Sequence, residues 1–275
     1  MNTDSPTSID ADDRGFLLGD GLFETIRIYE GTPFRLESHL DRLRAGAAAL
    51  GIEVVEDLES RIRSFIEEGP PDAALRITLS RGSGGDLSGE GAGPATLALR
   101  VRAVQDSELE LTAVQEGWLH ESSLSAGLKG LGYLERVLAL RKARARGADE
   151  ALVRNARAEI VEGSTSNLIA VLPRGELVAP GRRDGALPGI TRAIVLKEAW
   201  RLGYRIEERG LRPGELAGIR ELILTSSIRE LAPVVEVEGR RVGMGRPGPV
   251  YQALRQAFRE VVEGETGASD PLPTL

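Results

Sequence analysis

Strand-like and helix-like spacings succeed one another along this chain, and that succession limits its fold more than any bulk figure does. In Leu22-Phe23-Glu24-Thr25-Ile26-Arg27-Ile28-Tyr29, Ile26 and Ile28 share one face of a strand, and Thr25 and Arg27 share the other. Gly31-Thr32-Pro33 predicts a turn and Phe34-Arg35-Leu36 a short return strand. Residues 37–50 carry Leu40, Leu43, Ala47 and Leu50 at helical spacing. A second helix over about 56–68 uses Leu58, Ile62, Phe65 and Ile66 and stops at Gly69-Pro70-Pro71. Strands follow at 75–80 and 95–104, joined by a glycine-rich loop over 81–93 that reads as flexible. The opening stretch is therefore an α+β unit: hairpin, two helices, further strands.

The second half alternates more evenly. Residues 105–127 read as a strand and a crossing, and Leu134–Arg146 as a helix with Leu134, Val137, Leu138 and Ala139 as its apolar positions. Strands are expected at 150–154 and 168–172, with a polar, turn-rich stretch between them. A helix runs from Ile190 to Leu202, a buried strand covers Leu222 to Leu224, and a closing helix spans Val250 to Val262. Residues 1–13 are polar and read as frayed. The expected division is a small domain over 1–115, a connection over 116–127 and a larger domain over 128–275, ordinary sizes for 275 residues.

Composition removes several chemistries. With no cysteine, thiol catalysis, thiolate metal sites and disulfides are excluded. His39 and His120 are the only histidines, so no metal site is expected. A net charge of −7 argues against a nucleic-acid surface, and no apolar run is long enough for a membrane span. A cytoplasmic enzyme without nucleic-acid or membrane partners is the expectation.

Lysine is scarce. Among 35 Lys and Arg residues only Lys129, Lys142 and Lys197 are lysines. The latter two lie on helical stretches and read as solvated. Lys129 sits in Ser125-Ala126-Gly127-Leu128-Lys129-Gly130-Leu131-Gly132-Tyr133, a glycine-rich bend. Arginine keeps its charge, whereas a lysine amine can become neutral and nucleophilic. A chance surface lysine in a chain biased toward arginine explains the same stretch. Glu162-Gly163-Ser164-Thr165-Ser166-Asn167 is either a polar turn or a carboxylate steadied by hydroxyl and amide groups. Leu187-Pro188-Gly189-Ile190-Thr191-Arg192 opens a helix, as an ordinary cap or as an anion site. Thr225-Ser226-Ser227 follows a buried strand, where hydroxyls line clefts and turns alike. Gly19-Asp20-Gly21 and the 81–93 loop lack the spacing of phosphate-binding fingerprints and read as turns. His39 reads as a helix anchor.

Taken in order, these stretches resemble the class IV aminotransferases. The resemblance runs from about Arg14 to Val235 and rests also on Arg14-Gly15-Phe16 through Gly21, Leu22 to Thr25, His39-Leu40-Asp41-Arg42-Leu43 and Gly147 to Glu150. It implies a fold type IV enzyme using pyridoxal 5′-phosphate (PLP), with a smaller N-terminal α/β domain and a larger C-terminal barrel-like domain. By resemblance, Lys129 forms the Schiff base and shuttles a proton, and Glu162 faces the pyridine nitrogen. Arg42, Ile190, Thr191, Ser227 and Ile228 hold the phosphate, while Tyr133, Ser166, Asn167, Gly189 and Ser226 complete the cofactor contacts. Phe23, Thr25, Arg27 and Arg229 are the substrate-side candidates. Two departures stand out: Gly132 replaces a common asparagine, and the 81–93 loop lacks the Arg-x-His pair of typical D-amino acid aminotransferases. Its Arg81-Gly82-Ser83-Gly84-Gly85 looks more like aminodeoxychorismate lyases. The resemblance implies transfer of an amino group between an amino acid, leaning D, and a 2-oxo acid, in a homodimer. The alternatives are aminodeoxychorismate lyase, a branched-chain L-amino acid enzyme, and a PLP-binding regulator without turnover.

Overall fold

The computed structural model describes residues 8–104, 110–119 and 123–268. His120, part of the expected strand and crossing over 105–127, and residues 1–7 of the expected frayed segment lie outside them. Two compact units are formed, one from Met1–Gln105, Leu128–Gly132 and Val262–Leu275, the other from Asp106–Gly127 and Tyr133–Val261.

In the first unit, α1 (Arg14–Leu18), β1 (Gly21–Tyr29), β2 (Thr32–Pro33), α2 (Leu36–Leu50), α3 (Leu58–Glu67), β3 (Ala73–Ser80) and β4 (Thr96–Ala103) follow in order. The sheet runs β2-β1-β3-β4 and is antiparallel throughout. Ile26, Ile28, Leu75, Ile77 and Leu79 pack with Leu40, Leu43, Ile62 and Phe65 of the two helices. This is the period-two pattern burying one face. The return strand falls at Thr32–Pro33 rather than at 34–36, because Arg35 takes a left-handed φ of 58° and turns the chain into α2.

Residues near Asp13 are anchored, contrary to the frayed reading. The Asp13 carboxylate caps α1 by accepting the Gly15 N–H at 2.8 Å, and it accepts the Ser80 hydroxyl at 2.7 Å. Nor does the 81–93 loop hang loose. The buried Arg14 guanidinium donates to the carbonyls of Gly84, Asp86 and Leu87 and to Asp20 at 2.9 Å. Asp20 also accepts from Arg81 at 2.8 Å.

Residues 128–132 lie along the edge of β1 as a further extended segment. The Phe23 N–H donates to the Lys129 carbonyl at 2.9 Å, and the Leu131 N–H to the Gly21 carbonyl at 3.0 Å. The approach requires glycine at 21, where a Cβ would stand 2.5 Å from the Leu79 carbonyl and 2.8 Å from the Leu131 side chain. Lys129 is thus on a hydrogen-bonded ladder, not in a free bend.

The second unit contains β5 (Leu111–Trp118), α4 (Leu134–Ala145), β6 (Glu150–Arg154), β7 (Ile160–Gly163), β8 (Asn167–Val171), β9 (Leu177–Val178), α5 (Ile190–Arg201), β10 (Ile206–Glu207), β11 (Glu221–Ser226), β12 (Glu230–Val237) and β13 (Arg240–Arg241). The helix α6 (Pro249–Thr266) follows. The order β8-β11-β12-β5-β6-β7 returns to β8, so the sheet closes into a barrel. Alternate residues fill its interior, among them Ala113, Leu152, Leu168, Ala170, Leu222, Leu224 and Val234. Strands β7 and β12 escaped the sequence reading, because β7 is short and ends in Glu-Gly and β12 carries Pro233. The apolar face of α4 also differs from expectation. Leu134, Val137 and Leu138 are exposed, while Ala139 and Ala143 pack against Val114 and Ala151. Small residues win there because α4 lies close on β5, with Ala139 3.0 Å from where a Gly117 Cβ would be.

Candidate functional site

In the first unit, Glu24 on β1 points into the helix-covered face and is 1% exposed. Arg42 on α2 grips its carboxylate with two N–H groups at 2.7 Å each, and His39 Nδ1 lies 2.8 Å away. Residues 39 and 42 are one turn apart, so α2 presents both to the same strand position. Burial raises the Glu24 pKa, but the hydrogen bonds from Arg42 and His39 and their charges outweigh it and bring it down to about 2. Burial pushes the His39 pKa down, against the pull of Glu24. His39 is therefore an anchor, as read from sequence, and Arg42 is oriented by Glu24.

On the opposite face of β1 stands Phe23. The Lys129 amine is 4.5 Å from its ring centroid and the Arg76 guanidinium 3.9 Å. Thr25 is cross-strand from Arg76, so Phe23, Thr25, Arg76 and Lys129 are brought together. Arg27 shares that face and is otherwise engaged. Its guanidinium donates to the Ile28 carbonyl at 2.7 Å, to the Ala73 carbonyl at 3.3 Å and to Asp72 at 3.3 Å.

In the second unit, strand register sets Glu162 (β7), Asn167 (β8) and Thr225 (β11) in one cross-strand row. The row lies on the face turned from the apolar interior, since Leu152, Leu168 and Leu224 alternate with it. One Glu162 oxygen takes an N–H from Arg136, and the other takes the Leu187 N–H at 3.0 Å. Asn167 donates to the Leu187 carbonyl at 2.8 Å, tying the row to the start of α5. Gly189 is the N-cap of α5 and has no side chain to accept from the helix's first N–H groups. A Cβ on Gly189 would lie 1.8 Å from Asn167 Oδ1, so only glycine permits this closeness.

Ser166 faces a different group. Glu150, fully buried at the barrel end, accepts from the Ser164 hydroxyl and N–H, lies 3.5 Å from the Ser166 hydroxyl and pairs with Arg229 at 3.1 Å. The Arg229 N–H also donates to Ser226 Oγ at 3.1 Å, which shapes the turn holding Ser227 and Ile228. Tyr133 lies at the start of α4, its ring 5.4 Å from the Arg136 guanidinium.

The model of the amino-transferase class IV family matches residues 21–237. The chain belongs to the class IV aminotransferases. A D-alanine aminotransferase of Bacillus licheniformis is 31% identical, over 95% of this chain and 94% of that protein. A branched-chain-amino-acid aminotransferase of Pseudomonas aeruginosa is 28% identical, over 94% of this chain and 89% of that one. Among solved structures, a T.th. branched-chain amino acid aminotransferase with pyridoxamine 5′-phosphate superposes with a TM-score of 0.87 at 27% identity, covering 94% of this chain and 90% of that one. The class IV aminotransferase fold is fold type IV, and the cofactor of this class IV enzyme is PLP.

The residues fit that cofactor. The start of α5 offers uncapped N–H groups to a phosphate, and the buried Thr225 hydroxyl beside it has no hydrogen-bond partner among the described residues. Glu162 offers an anion that is 2% exposed. Sequence reading missed Arg76, Arg136, Glu24 and Glu150 as site residues. Only Glu24 and Glu150 had a signal, each lying inside a stretch that carried the resemblance.

Proposed function

We propose that this aminotransferase moves an amino group between a D-amino acid and a 2-oxo acid, with Lys129 as its cofactor lysine. The reading is carried by the row of Glu162, Asn167 and Thr225 beside the uncapped start of α5, a carboxylate and an anion-binding end within one unit. Bound PLP supplies an aldehyde that joins amines reversibly and a ring that accepts the electron pair released at the substrate carbon. Glu162 presents a negative charge to the ring nitrogen. Ile190 and Thr191, with Ser226, Ser227 and Ile228, hold the phosphate through N–H and hydroxyl donors, as helix starts and turns do for anions. Arg42, held in place by Glu24, adds a cation to that phosphate. Tyr133, Ser166 and Asn167 steady the surrounding turns. The Lys129 Nζ takes and returns the proton that moves during transfer.

Phe23 and Thr25 line the substrate side. Of the arginines on that strand pair, Arg76 is taken as the carboxylate partner, because its guanidinium lies 3.9 Å from the Phe23 ring centroid on the face that carries Lys129. Arg76→Ala is expected to raise the Michaelis constant about tenfold, the scale of one charged hydrogen bond, and Arg27→Ala to change it far less. Equal effects in steady-state kinetics would return Arg27 to the carboxylate site.

The lean toward a D-amino acid is supported by the Bacillus licheniformis relative. A second reading, aminodeoxychorismate lyase, is favoured by Arg81-Gly82-Ser83-Gly84-Gly85. Half-reactions of the holoenzyme with D-alanine, D-glutamate, L-leucine and aminodeoxychorismate decide between them. Loss of the cofactor's visible band with the D-amino acids is expected. Bleaching by L-leucine alone, or pyruvate release from aminodeoxychorismate, would reject the D-amino acid reading.

A further inference from the structure

Arg136 stands where a cation is electrostatically unwelcome. It lies in the first turn of α4, at the positive end of the helix dipole, and its side chain is only 21% exposed. The guanidinium has gathered compensating partners from one place. It donates to the Glu162 carboxylate and to the carbonyls of Gly163 and Ser164, the last two at 3.3 Å each, so that α4 is stitched to the end of β7. Burial works against its charge, but the neighbouring Glu162 carboxylate outweighs burial and raises the Arg136 pKa above its ordinary value. The other Glu162 oxygen is fixed by the Leu187 N–H. Two oxygens offer about four acceptor positions, so two donors hold the carboxylate without exhausting it.

We propose that Arg136 is a positioning residue for Glu162, fixing the carboxylate so that its remaining acceptor positions meet the PLP ring nitrogen in one orientation. The proposal rests on the reading of Glu162 given above. Without Arg136 the carboxylate is held at one oxygen only, and its terminal torsion, broad in carboxylate side chains, is free to turn. A locked supporting partner of this kind distinguishes a formed site from a loose one.

The test uses full-length protein, PLP affinity by titration of the apoprotein, and ¹⁵N NMR of ring-labelled PLP. Arg136→Leu is expected to raise the dissociation constant about tenfold, the low end for losing an outer partner of a bound group. The ring-nitrogen resonance of the bound fraction is expected to move toward the unprotonated position. Arg136→Lys, which keeps a charged donor, recovers most of both changes. Unchanged affinity and resonance in Arg136→Leu overturn the proposal. So does weaker binding with an unmoved resonance, the result of a merely structural ion pair. If Arg136→Leu does not fold, Arg136→Gln, a shorter and uncharged polar side chain, is judged by the same two readouts. Wild-type protein with the resonance of unprotonated pyridine would reject the role of Glu162 as well. A protonated wild type with an indifferent Arg136→Leu would reject Arg136 alone.

Discussion

Lys129→Ala protein is expected to lose turnover by about 10³-fold or more, because one amine serves both as covalent anchor and as proton carrier. Borohydride treatment of wild-type holoenzyme should leave a reduced PLP adduct on the peptide containing residue 129, and the variant should carry none. The alternative acceptors are Lys142 and Lys197, both exposed. A stoichiometric adduct on either in the variant, or turnover within tenfold of wild type, would sink the assignment. The fold should survive the change. Lys129 is held to β1 by its backbone carbonyl, and its side chain contributes a contact over the Phe23 ring worth about 0.5–2 kcal/mol. Thermal unfolding close to wild type would separate lost chemistry from lost structure.

The second large effect is on stability. Glu24→Gln leaves Arg42 and His39 against a neutral amide in a buried position, and breaking a buried pair from one side costs about 3–5 kcal/mol. The acid dependence of folding provides an independent measure. The Glu24 carboxyl is held at about 2 against an ordinary 4.5, so its contribution is fully present above 4.5 and is lost as pH falls through about 2. That interval corresponds to about 3 kcal/mol. His39 acts in the same direction: burial depresses its pKa, so the fold favours the neutral ring and loses stability as pH falls below the ordinary 6.5. Chemical denaturation at pH 7 and pH 3 should show wild type falling steeply and Glu24→Gln, already weak at pH 7, falling less between 4.5 and 3. Equal midpoints for the two proteins at pH 7 would remove Glu24 as a structural keystone and the argument that it orients Arg42.

Helices α2, α3 and α5 were legible because their apolar positions repeat at helical spacing and proline or glycine marks their ends. Strand β1 was legible from its alternation. By contrast, α1 is five residues long and depends on Asp13, a cap that also binds Ser80 across 67 residues. Tertiary partners of that kind have no local signature. The same division runs through the proposed site. Lys129, Glu162 and the Gly189 turn stood out as candidates because each sits in a distinctive short stretch. Arg136 looks like any solvated helix arginine until β7 brings Glu162 to it from 26 residues away. Arg27 is the opposite case: alternation puts it on the face of Phe23 and Thr25, but only the fold shows that part of its guanidinium goes to the Ala73 carbonyl and Asp72.

The first unit is assembled from three separated pieces of chain. Residues 128–132 complete the edge of β1, and an ion pair joins Arg35 to Glu265 near the end of α6. During synthesis the N-terminal sheet and its helices are made long before the end of α6, the last of these pieces, exists. Domains usually form as units while the chain is being made, N-terminal ones first. Here the unit made first must wait for the unit made second to leave the ribosome before it is whole. An excised fragment ending at residue 105 would thus correspond to the waiting state rather than to a finished domain.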